Sequence, residues 1–174
     1  MPCTVRAEVR EQVSLAFATM QGRGDIPNLL NQLGLVGESV EVGVRKGDFS
    51  KHILLHWNGT KHHMVDPWEH QDEKLYKDIS NRDDKWQGQL YEDLQAFMAQ
   101  TYPGRFELHR GYSVQVAKSD FADDSLDFVY VPLCVTVCHC VSLCHCVTVC
   151  HCVSLCVSVC LCVSLCVSVC LCVL

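Results

Sequence analysis

The sequence predicts an α/β fold: a parallel sheet of four strands with helices on both faces. Three observations predict it. From Ser39 to Val131, short runs rich in β-branched residues alternate with stretches whose apolar residues recur at helical spacing. A glycine turn, Gly43-Val-Arg-Lys-Gly47, joins the first such run to a helical segment. The second run ends in a lone carboxylate, Asp66, in Met64-Val-Asp-Pro-Trp68. Parallel strands need a crossover helix between them, and this alternation supplies one each time.

The elements follow in order. Val5 to Met20 carries Val5, Val9, Val13 and Phe17 at four-residue steps, an amphipathic helix. Gly22-Arg-Gly24 breaks it, and Asp25 with Pro27 starts a short second helix through Leu33. Ser39 to Val44 alternates around valines as strand one. Asp48 to Trp57 is helical, with Phe49, Ile53, Leu54 and Trp57 on one side, and His62 to Val65 is strand two. Asp72 to Ser80 and Asp84 to Gln100 read as helices parted by the polar Asn81-Arg-Asp83. Tyr102-Pro-Gly104 stops the second. Arg105 to Arg110 is strand three, Ser113 to Lys118 a short helix, and Leu126 to Val131 strand four.

The turn after strand one carries the chemistry. A strand, a glycine turn, a helix and a second strand ending in an acid form the layout of a nucleoside-cofactor site. Glycines let the backbone approach the ligand, and the acid accepts hydrogen bonds from ribose hydroxyls. Dinucleotide sites use G-x-G-x-x-G, whereas this chain has E-x-G-x-x-x-G from Glu41 to Gly47. A carboxylate two residues before the first glycine repels a pyrophosphate. It suits a ligand carrying an ammonium and a sulfonium.

These residues resemble motif I of the class I S-adenosylmethionine-dependent methyltransferases. The run Val40 to Leu54 with Val65-Asp-Pro-Trp68 is similar to the branch containing small-molecule O-methyltransferases. The resemblance implies a Rossmann-like methyltransferase fold and S-adenosyl-L-methionine as cofactor. Its implied contacts are Glu41, Gly43, Gly47, Ser50 and Asp66, with Ser113 near the adenine. The implied activity is methyl transfer to a small-molecule acceptor. Each residue also has a plainer reading. Gly43 and Gly47 suit ordinary turns, Asp66 before Pro67 suits a turn cap, and Ser50 suits the first turn of a helix. Glu41 between two valines needs a partner whichever reading holds. His62 and His63 are adjacent and point to opposite faces of a strand, so they share no metal, and no metal ligands are assigned.

The chain departs from that family after strand four. The family's sheet runs in the order 3-2-1-4-5-7-6, and only strands one to four are legible here. In the resembled branch strand four is followed by an acid and a histidine near the substrate, and a complete member can carry a divalent metal. Here Leu126-Asp-Phe-Val-Tyr-Val131 continues as Pro132-Leu-Cys-Val. The expectation is an incomplete fold whose catalytic residues are unknown. The alternatives are a non-catalytic truncated product that binds the cofactor weakly or not at all, or a protein whose tail binds metals through its thiols incidentally.

The organisation is therefore residues 1–33 as N-terminal helices, 34–131 as a partial cofactor-binding domain, and 132–174 as a low-complexity tail. Thirteen of the 14 cysteines lie in the tail, which has no Asp, Glu, Lys or Arg. Cys134 to His145 recurs nearly unchanged as Cys146 to Val157. A ten-residue version, Cys156 to Leu165, recurs from Cys166. A translated simple-sequence DNA repeat is the simplest account, with an unstructured or irregular tail. Its length and hydropathy permit a membrane span, and its period-two alternation suits a strand or an aggregating segment equally. No paired C-x-x-C knuckles accompany His139, His145 and His151.

All of the net charge, −6, lies before the tail. That balance, without a basic stripe, argues against nucleic acid as a partner. Met1 to Met20 carries charges throughout and no apolar core of a signal peptide, and Cys3 is the only cysteine outside the tail. Both point to a reducing cytoplasm.

Overall fold

The computed structural model describes residues 20–74, 76–77, 79–122, 125–131, 158–163 and 167–172. The helix expected over Val5 to Met20 lies outside them, apart from Met20. A 3-10 turn at Arg23–Asp25 leads into α1 (Ile26–Gln32), with Pro27 in the first turn, where no N–H is needed. Then come β1 (Glu38–Val42), α2 (Asp48–His56), β2 (Lys61–Asp66), α3 (Asp84–Thr101), β3 (Phe106–Arg110), α4 (Ser113–Asp120) and β4 (Phe128–Tyr130).

The sheet runs β3-β2-β1-β4, all parallel, with β1 between β2 and β4. This is the expected α/β architecture. Alternation along the strands divides it into two faces. On one, α1, α2 and α3 cover two apolar clusters. Ile26, Leu30, Ile53, Trp57, Phe128 and Tyr130 form the first, and Leu54, Met64, Trp68, Leu94 and Met98 the second. On the other, α4 lays Val116 over Val40, Val65, Leu126 and Val129. Burying a side chain of this size contributes about 1.5–3 kcal/mol, so both faces need their helices. Although α1 precedes residue 34, it packs into the same core as α2 and β4.

Asp72 to Ser80 is a correction. Its described residues form turns rather than a helix, with one helix-like bond, Tyr76 N–H to Asp72 C=O at 2.9 Å. Side chains have taken over the backbone groups. Asp72 accepts from Lys74 N–H at 2.8 Å, and the Asn81 amide donates to the carbonyls of Gln71 and Tyr76 at 2.9 and 3.1 Å. Asp and Asn compete with a helix in this way, and periodicity does not register it.

The tail also differs from the irregular segment expected. Its described residues form β5 (Ser158–Val163) and β6 (Val167–Cys172), an antiparallel pair. β5 pairs antiparallel with β4, Val129 opposite Cys160 and Tyr130 opposite Val159. Alternating valines fit a pleated strand, and the free edge of β4 offers the ladder. Among the described residues no helix is long and apolar enough to cross a membrane.

Candidate functional site

In a parallel α/β sheet, ligands bind beyond the carboxyl ends of the strands, where the strand order reverses. Here that place lies beside β1, whose neighbours β2 and β4 are reached by crossovers in opposite directions. Beyond β1 the chain turns through Gly43 (φ 81°), Arg45 (φ 55°) and Gly47 (φ 71°). Gly43 is exposed and meets its conformational need without a side chain. Gly47 is doubly constrained, because a Cβ there would lie 2.5 Å from Leu94 Cδ1 on α3.

Asp66 holds this turn against the end of β2. One carboxylate oxygen accepts from Arg45 N–H at 2.9 Å, and the other accepts from Trp68 N–H at 2.8 Å. Trp68 Nε1 then donates to the Arg45 carbonyl at 2.9 Å. Arg45 and Trp68 (φ 41°) are the described non-glycine residues with positive φ, a conformation costing about 1–3 kcal/mol each. The strain is thus gathered at the carboxyl ends of β1 and β2 and pinned there by one side chain. Burial pushes the Asp66 carboxyl up, and the amides of Arg45, Trp68 and Val44 oppose that rise. A carboxylate has about four lone-pair sites, so these amides leave room for a ligand hydroxyl.

Beneath the turn lies a buried polar chain. Ser50 on α2 donates its proton to Glu41, so its oxygen accepts from His62 Nε2–H at 3.2 Å. That fixes His62 Nδ1 as the acceptor for the Ser39 hydroxyl at 2.8 Å. Every member is buried, and each side chain of this polar chain has a hydrogen-bond partner within it. Burial pushes Glu41 up to about 7, with Ser50 and Arg23 opposing the rise. Burial pushes His62 down to about 3, so it is neutral. Glu41 therefore stands between its two protonation states near neutrality.

The expected residues fall in three places. Gly43, Gly47 and Asp66 meet in the pinned turn. Glu41 and Ser50 meet one layer below, where Ser50 is fully buried and touches Glu41 and His62. Ser113 opens α4, in the turn after β3, and that turn is tied to β2 by Gly111 N–H donating to the Asp66 carbonyl at 3.1 Å. Sequence reasoning missed the His62 link, since one strand cannot reveal which helix lies over it. It also missed the bracing at Arg45 and Trp68. The Pro67 that sharpens this loop was the available signal.

Compared with protein-family models, with curated proteins and with solved structures, the chain matches none.

Proposed function

We propose that this chain binds S-adenosylmethionine or S-adenosylhomocysteine at the carboxyl edge of β1 and β2. One observation supports the reading most: Asp66 gathers the glycine turn after β1 against the end of β2, at the reversal of a 3-2-1-4 parallel sheet. The open lone pairs of Asp66 suit ribose hydroxyls. Gly43 and Gly47 would line the methionine end. Glu41, 4% exposed, would meet the ammonium through water. Ser113 would stand near the adenine.

When bound, S-adenosylmethionine supplies a methyl group on a sulfonium, open to in-line displacement by a nucleophile. The chain's own part is to position that centre and, where the acceptor needs it, to remove a proton. The residues after β4 do not suit that second task. Pro132 and Leu133 neither ligate a metal nor take a proton. The reading is therefore cofactor binding to a chain inactive in methyl transfer to a small-molecule acceptor, in a reducing cytoplasm that keeps the tail thiols reduced.

Titration calorimetry on the full chain under reducing conditions tests this. S-adenosylhomocysteine should bind, and NAD should not; the reverse result overturns the proposal. A second reading, that Asp66 only braces the turn, is favoured by its two backbone amide bonds. Asp66→Asn separates the two. Loss of ribose contacts weakens binding by about 1.5–3 kcal/mol with a smaller change in the unfolding midpoint. Equal losses in stability and affinity identify a brace.

A further inference from the structure

On the face of the sheet away from α2, His63 on β2 meets His109 on β3, with His63 Nδ1 2.9 Å from His109 Nε2. Glu107, two residues before His109 and so on the same face, brings Oε2 to 3.9 Å from His63 Nδ1. The three donor atoms lie within 4.8 Å of one another.

The outer nitrogens decide what the inner ones can be. His63 Nε2 faces Glu38 Oε2 on β1 at 3.1 Å, and His109 Nδ1 faces Asp120 Oδ2 at the end of α4 at 2.6 Å. Ionised carboxylates only accept, so each outer nitrogen carries its ring's proton. The two inner nitrogens are then both lone pairs, aimed at each other across 2.9 Å. An arrangement of that kind needs positive charge between the rings. A proton supplies it by making one ring an imidazolium among these carboxylates, whereas a metal ion supplies it while both rings stay neutral.

We infer that His63, His109 and Glu107 form a site for a divalent transition-metal ion of the zinc class. Imidazole and carboxylate are the ligands such ions take, and tetrahedral zinc at about 2.0–2.1 Å places its ligand atoms about 3.4 Å apart. The inner nitrogens reach that spacing by opening a few tenths of an ångström. Glu38 and Asp120 orient the rings as carboxylates do behind metal-bound histidines. Lys61 donates to Glu107 Oε2 at 3.1 Å and steadies the third ligand. Three carboxylates face one ammonium here, a balance that favours a dication. Glu107 is half exposed, so the site opens to solvent on its side and leaves a fourth position for water. The ion would tie β2 to β3 and, through the outer carboxylates, to β1 and α4.

Thiols in the tail would compete for zinc, so the test must read the rings themselves. Zinc is titrated into the full, reduced chain while the histidine ring nitrogens are followed by nitrogen-15 NMR, with affinity set by chelator competition. His63 Nδ1 and His109 Nε2 should shift together with one equivalent of ion. Glu107→Gln, a change at a half-exposed position, should weaken that event tenfold or more, and Asp120→Asn by 10–100-fold. His109→Ala should abolish it. Where His109→Ala does not fold, Glu107→Gln decides. Ring nitrogens that stay unmoved while zinc binds elsewhere, or a Glu107→Gln chain with unchanged affinity at these rings, overturn the inference.

Discussion

Glu41 and His62 are joined through one serine hydroxyl, yet pH acts on them in opposite directions. Glu41 is raised from 4.5 to about 7, so between those values the folded chain holds a proton that the unfolded chain has lost. Its stabilising contribution is present below pH 4.5 and is lost as pH rises through 7, about 3 kcal/mol in all. His62 is lowered from 6.5 to about 3, so its contribution is present above 6.5 and is lost as pH falls through 3. The two windows overlap, and wild-type stability should change little across the overlap. Glu41→Gln removes one side of the balance. Urea midpoints at pH 5 and pH 8 should then show the variant gaining on wild type at the higher pH, and parallel shifts would show that Glu41 does not titrate near neutrality. The same carboxyl links to ligand binding. A ligand ammonium favours ionised Glu41, so S-adenosylhomocysteine affinity should fall as pH drops below 7, and Glu41→Gln should flatten that profile.

Among the elements, α2 owes its end to a residue far along the chain. Arg105, just before β3, donates to the carbonyls of Leu54, Trp57 and Gly59 at 3.2, 2.7 and 3.1 Å. Leu54 is in the last turn of the helix, where carbonyls lack intrahelical partners, and Trp57 caps it, while Gly59 lies in the loop beyond; the guanidinium also suits the negative pole of the helix. Arg105→Ala should therefore lower stability by about 1.5–3 kcal/mol, and Arg105→Lys should restore only part of it, since an ammonium cannot span three carbonyls. Circular-dichroism melts with denaturant titration measure both; an unchanged midpoint for Arg105→Ala would sink the capping role. This contact also marks the limit of what was legible in sequence. Strand and helix identities were readable because Val40, Val42 and Met64 alternate and Phe49, Ile53 and Leu54 recur at helical spacing. Asp66 and the two glycines were readable because turn chemistry is local. The partners of Glu41, His63 and Arg105 were not, because each comes from an element whose register is set by packing. His109 and Glu107 carried a faint signal, the period of two, which gains meaning only once β3 lies beside β2.

For the whole molecule the open question is what closes the β4 side of the sheet. A parallel strand left at an edge offers a row of unpaired amides and carbonyls for another chain to pair with. Here β5 occupies that edge and β6 lies outside it. Both strands come from the ten-residue repeat, so Ser158-Val-Cys-Leu-Cys in β5 is matched by Ser168-Val-Cys-Leu-Cys in β6. A repeated sequence specifies register weakly, since a slip by one repeat restores the same pattern against the same partner. Two alterations should consequently behave very differently. Val159→Pro removes a ladder donor opposite Tyr130, but an equivalent segment can take its place. Its unfolding midpoint should stay near that of wild type. A chain ending at Val131 leaves no substitute, so the β4 edge and the apolar side chains near it are uncovered. That chain should unfold at lower denaturant and self-associate with rising concentration by sedimentation velocity. If it instead stays monomeric with an unchanged midpoint, the hairpin is not what protects the sheet. If Val159→Pro proves as damaging as the truncation, the repeat has one fixed register and its degeneracy is of no consequence to the fold.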